Sequence, residues 1–156
     1  MHRILRAAVF LLPVLFALGG EASEVEPLKV LFVGNSYTGF NDLPSMVVAL
    51  SEASEGRRIE ADRHIVGGCT FERHVKETGA IDKIREQKWD VVVLQEQSLR
   101  PIIGRDLMFE HAATLHAEAE KQGAQTVFYL TWARQHIPDM QEGVDPAESP
   151  EYARVM

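Results

Sequence analysis

Cysteine is nearly absent: Cys69 is the only one among 156 residues. No internal disulfide can therefore staple the fold, and zinc sites built from two or four cysteines are excluded. An excess of positive charge is missing too. Lys and Arg number 16 against 23 Asp and Glu, a net charge of −7, which is a poor match to nucleic acid or to anionic membrane surfaces. Long apolar runs are also lacking. The longest, Ala7 to Leu18, has 12 residues and contains Pro13, whereas a membrane-spanning helix needs about 20.

That short run has the layout of a secretory leader instead. His2, Arg3 and Arg6 precede it, and the small residues Gly19-Gly20-Glu21-Ala22 follow it. We read residues 1–22 as a cleavable signal and residues 23–156 as one domain, expected to be secreted or periplasmic. Without the leader two arginines and one glutamate are lost, and the net charge becomes −8. No lipobox-type cysteine follows the run, so neither a lipid anchor nor stable membrane insertion is expected.

The rest is ordinary for one soluble globular domain, with 46% hydrophobic and 25% charged residues. Strand-like and helix-like stretches alternate, the pattern of βαβ units around a parallel sheet. Leu28 to Val33 reads as the first strand. Asp42 is positioned to cap a helix with Pro44 in its first turn, running to about Gly56. Ile59 to Val66 reads as a second strand. Thr70 to Gln87 is helical with a break near Gly79 and a buried face of Phe71, Val75, Ile81 and Ile84. Trp89 to Leu94, continuous and β-branched, reads as a mid-sheet strand covered on both faces. A helix from Arg105 to Gln122 with Gly123 as its C′ residue precedes a fourth strand, Thr126 to Leu130. Ser149-Pro150-Glu151 reads as the start of a further helix that the chain end interrupts.

Three strands end in unusual residues: Gly34-Asn35-Ser36, Gly67-Gly68, and Gln95-Glu96-Gln97-Ser98. In a parallel sheet these loops share one edge, where α/β proteins bind their ligands. Together they supply a hydroxyl nucleophile and donors for a developing oxyanion, the needs of acyl transfer. The candidate donors are the N–H groups of Ser36 and Gly68 and the Gln97 amide. Asn35, Gln95 and Trp132 are candidates for lining the substrate cleft.

These blocks resemble those of the SGNH/GDSL hydrolases. Gly34-Asn35-Ser36 is similar to the family's Gly-Asp-Ser block, Gly67-Gly68-Cys69-Thr70 to its glycine block, and Leu94-Gln95-Glu96-Gln97-Ser98 lies where it has Leu-Gly-x-Asn-Asp. A branch of secreted members carries Leu-Gln-Glu-Gln-Ser at that place, and the likeness extends from Leu28 to Trp132. It implies a flavodoxin-like three-layer α/β/α fold, a serine esterase acting on small-molecule or carbohydrate esters, Ser36 as nucleophile, and an oxyanion hole from Ser36, Gly68 and Gln97. No metal or organic cofactor is implied. Two departures stand out. Glutamine replaces asparagine at position 97, and the family's Asp-x-x-His base has no counterpart after Trp132, where His136 and Asp139 occur in the reverse order. The chain is therefore expected to be a partial hydrolase whose last strand, last helix and base lie beyond Met156, with turnover depending on them.

Two other functions compete. Ser36-Tyr37-Thr38-Gly39 resembles the phosphate loop of flavodoxins, which would make an FMN-binding electron carrier. A degenerate hydrolase that binds carbohydrate without cleaving it would also explain the missing base. The remaining candidates have structural readings: His64, Cys69 and His74 fit no standard metal spacing, Cys69 suits a small buried residue, and His111 and His116 are expected to face solvent.

Overall fold

A computed structural model describes residues 25–131. The expected leader 1–22, Trp132, His136 and the helix start at Ser149 lie outside the described residues. Four strands, β1 (Leu28–Gly34), β2 (Ile59–Ile65), β3 (Val91–Leu94) and β4 (Gln125–Phe128), form one parallel sheet in the order β2-β1-β3-β4. Between β1 and β2 lie the single-turn helix α1 (Ser36–Gly39), a 3₁₀ turn (Phe40–Asp42) and α2 (Leu43–Glu52). Helices α3 (Phe71–Lys76) and α4 (Ala80–Arg85) connect β2 to β3, and α5 (Arg100–Ile103) and α6 (Arg105–Lys121) connect β3 to β4.

Parallel crossovers are right-handed, so the direction in which each connection moves along the sheet decides which face its helices cover. The β1-to-β2 connection moves one way and the next two move the other. That puts α2 on one face and α3, α4 and α6 on the opposite face, the three-layer arrangement of a flavodoxin-like fold. The second face holds the main core. Leu31, Val33, Val92 and Leu94 point there in register and pack with Phe71, Ile84, Trp89 and Leu115, all buried. On the α2 face Val91 and Val93 are only half-buried, so β3 is covered more fully on one side than its β-branched run suggests.

Local chemistry explains most boundaries. The stretch after Thr70 breaks where expected, since Gly79 has φ 76° between α3 and α4, a left-handed position that glycine takes at little steric cost. Thr70 caps α3 by accepting from the Arg73 N–H at 3.3 Å. Asp42 precedes α2 as expected, but not as an ordinary cap. It is left-handed, as is Asn41 before it (φ 52° and 62°), and its carboxylate accepts from the Ser45 hydroxyl at 2.8 Å instead of a backbone N–H. His111, expected at the surface, is buried and donates through Nδ1 to the Leu107 carbonyl at 2.8 Å. His116 is exposed.

Candidate active site

The site begins with a glycine that cannot be replaced freely. A Cβ on Gly34 would lie 2.6 Å from the Thr38 hydroxyl and 2.8 Å from Gln95 Oε1, closer than any real contact. Without that Cβ, the chain leaving β1 turns tightly over the end of β3. Asn35 makes the turn. It is extended (φ −124°), its Oδ1 accepts from the Tyr37 N–H at 3.1 Å, and its carbonyl accepts from the Thr38 and Gly39 N–H groups at 3.0 Å each. Ser36 follows as the first residue of α1, exposed at the carboxyl edge of the sheet.

The three strand-end loops are joined by buried polar bonds. The Asn35 side chain donates to the Cys69 carbonyl at 2.9 Å, tying the first loop to the second. Gln95 Oε1 accepts from the Asn35 N–H at 3.0 Å and the Thr38 hydroxyl at 2.8 Å, tying the first to the third. The Gln95 Nε2 group donates to the Glu96 carbonyl. Glu96 closes the triangle: its carboxylate accepts from the Phe71 N–H at 3.1 Å, at the start of α3, and from the Gln97 N–H at 2.6 Å. Burial raises the Glu96 pKa, while those backbone donors and the nearby Arg100 and His111 pull it back.

Ser36, Gly68 and Gln97 are thus each the chain neighbour of a member of this network: Asn35, Cys69 and Glu96. Gly68 occupies the third position of a turn closed by the Cys69 N–H on the Val66 carbonyl at 3.1 Å, and its φ of 64° matches the glycine that such a turn requires. Nothing lies within 4 Å of where its Cβ would be. Gln97 is half-buried, and its Oε1 accepts from the Leu99 N–H at 2.8 Å, which turns the other end of the amide, the Nε2 donor, away from that contact. Asn35 and Gln95, expected to line the cleft, are instead buried, with their amides bonded inside the protein. They form the floor under Ser36 because their polar atoms hold the loops together.

His74, read from sequence only as a poor metal ligand, is part of the same support. It is fully buried, with Nε2 3.0 Å from the Gly34 carbonyl and Nδ1 3.0 Å from the Thr78 hydroxyl. The Gly34 carbonyl can only accept, so Nε2 carries the proton and Nδ1 accepts from Thr78. His64 Nε2, 3.0 Å from the same hydroxyl, completes a chain that runs His64 to Thr78 to His74 to Gly34. Burial lowers the His74 pKa to about 4 and that of His64 in the same direction. Both rings are neutral at physiological pH. Cys69 is buried, with its thiol pKa raised by burial, which suits a packing role.

The flavodoxin-like alternative meets a specific obstacle. The Thr38 hydroxyl that a phosphate loop would present is buried and bonded to Gln95. Among the described residues, no histidine is hydrogen-bonded to Ser36: His64 and His74 serve Thr78 and Gly34, His111 serves Leu107, and His116 bonds the Thr126 hydroxyl at 2.9 Å.

Comparison with known proteins bears on the fold. No family model matches the chain, and neither does any curated protein. Solved structures do. A candidate SGNH hydrolase from Slackia heliotrinireducens superposes with a TM-score of 0.65 at 28% identity, over 75% of this chain and 63% of that one. A candidate lipolytic protein of the G-D-S-L family from Desulfitobacterium hafniense gives a TM-score of 0.56 at 19% identity over 81% and 71%. A DUF4886 family protein from Bacteroides uniformis gives 0.55 at 20% identity over 83% and 57%. The chain spans under two thirds of the first of these proteins. The last two show the shared fold, and the first extends the likeness to sequence, so the chain is related to the SGNH/GDSL superfamily.

Proposed function

We propose that the protein is a serine hydrolase that cleaves small-molecule esters through an acyl-enzyme on Ser36. The observation that supports this most is the placement of Ser36: an exposed hydroxyl at the end of a central strand, on a turn that buried bonds of Asn35 and Thr38 tie to the loops after β2 and β3. Rigid support of this kind is what a nucleophile needs and a simple turn does not. In the reaction, Ser36 Oγ forms a bond to the ester carbonyl carbon and gives its proton to a base. The tetrahedral oxyanion is held by the Ser36 N–H, the Gly68 N–H and the Gln97 amide, each donor worth about 3 kcal/mol in the transition state. The C–O bond to the alcohol then breaks, the alcohol leaves with the proton, and water releases the acid by the same steps.

The base is a residue outside 25–131, a reading supported by the engagement of every described histidine elsewhere. Export fits the leader-like residues 1–22. The test is labelling of the full-length protein with a small fluorophosphonate, followed by peptide mapping. A modified Ser36 is expected, and a protein left unlabelled while a serine-esterase control reacts would overturn the assignment.

A further inference from the structure

A groove of about 380 Å³ opens directly beside Ser36, which forms part of its wall. Tyr37, Phe40, Leu43 and Met46 line it from the connection after β1, and Tyr129 lines it from the end of β4. Its volume lies at the small end of the roughly 300–1,000 Å³ that small-molecule sites span. Among the described residues no charged side chain lines it, although a quarter of the chain is charged. Its one amide comes from Asn41.

The backbone is bent to make this surface. Asn41 and Asp42 are consecutive non-glycine residues in the left-handed region, which asparagine and aspartate enter more readily than other side chains do. The Asp42 carboxylate is held there by the Ser45 hydroxyl at 2.8 Å and by Arg63 at 2.6 Å. The bend separates α1 from α2 and leaves Phe40 77% and Met46 51% exposed, facing water beside the candidate nucleophile. Apolar side chains of that size gain most by contact with another apolar surface.

We propose that this groove binds the hydrocarbon chain of the ester, so that the preferred substrates carry a medium-length alkyl chain rather than an acetyl group on a sugar. The inference rests on Ser36 as nucleophile. A sugar would need side-chain donors and acceptors around its hydroxyls, and this wall offers mainly carbon. The chain can belong to the acyl or to the alcohol side of the ester, since both leave the carbonyl within reach of Ser36.

The experiment uses the full-length protein with p-nitrophenyl esters from acetate to octanoate, alongside a second series of acetates of ethyl to hexyl alcohols. In one of the two series kcat/KM should rise about two- to fourfold per methylene, the upper figure corresponding to about 0.8 kcal/mol per buried CH₂, and then level off. The rising series identifies the side that enters the groove. Met46→Trp, which fills the groove, should lower the octanoate-to-acetate or hexyl-to-ethyl ratio at least tenfold. Two flat series, a ratio indifferent to Met46→Trp, or better turnover of acetylated sugars than of any alkyl ester would overturn the proposal. A fluorophosphonate label on Ser36 with flat series refutes the groove alone, whereas an unlabelled Ser36 refutes the nucleophile and the groove together.

Discussion

Replacing His74 by leucine tests how the turn bearing Ser36 is held. The buried ring lies 3.0 Å from both the Gly34 carbonyl and the Thr78 hydroxyl, and burial lowers its pKa from 6.5 to about 4. Unfolding returns the ring to water. Between about pH 6.5 and pH 4 the unfolded chain therefore binds a proton that the folded protein refuses, and stability falls as the pH falls. A shift from 6.5 to about 4, at ~1.4 kcal/mol for each tenfold change in proton affinity, makes that loss about 3 kcal/mol by pH 4. The leucine variant should behave differently at both ends. Near pH 7 it should be less stable by about 1–3 kcal/mol, because Gly34 loses a buried donor and Thr78 a partner. Towards pH 4 the two stability curves should converge, because the variant has lost the group responsible for the decline. His64, lowered in the same direction, leaves a shallower slope in the variant. Glu96, whose raised pKa stabilises the fold towards acid, is present in both proteins and cancels in the difference. Urea unfolding from about pH 7.5 to about pH 4, followed through the buried Trp89, gives both curves. Parallel curves across the whole range would refute the reasoning.

Three other substitutions probe the remaining supports. Gly34→Ala should lower stability by about 1–3 kcal/mol, because the new methyl meets buried oxygen atoms that cannot move aside; a melting temperature equal to wild type would contradict this. Gln95→Leu leaves the Asn35 N–H and the Thr38 hydroxyl without their acceptor, and denaturant unfolding should show a loss of at least about 2 kcal/mol. Gln97→Ala should leave the melting temperature within a few degrees while lowering kcat about 10²- to 10³-fold. Unchanged kcat there would assign Gln97 a capping role for the Leu99 N–H alone.

The succession of strands and helices along the chain and the three loops that meet at the sheet edge were legible in the sequence, because strands, helices and turn glycines each leave a local signature. Ser36 and Gly68 stand out as residues on abrupt strand ends. The buried network beneath them leaves no such mark. Asn35 to Cys69, Gln95 to Thr38 and Glu96 to Phe71 join residues far apart in sequence, and a buried amide in a loop reads like an exposed one. His74 offered one usable clue: it shares the helical face of Phe71 and Val75, where a polar residue needs a buried partner. Asp42 was legible as the residue before a helix, but its left-handed conformation comes with contacts from Ser45 and Arg63 that local propensity cannot reveal.

The account turns on Ser36 as the nucleophile, and trapping its acyl-enzyme tests that most directly. The full-length protein, quenched during turnover of p-nitrophenyl acetate and measured as intact mass, should carry one acetyl group that maps to Ser36. Ser36→Ala should carry none and should hydrolyse the ester no faster than buffer. Turnover that persists in Ser36→Ala, or an acetyl group that maps to another residue, would contradict the account.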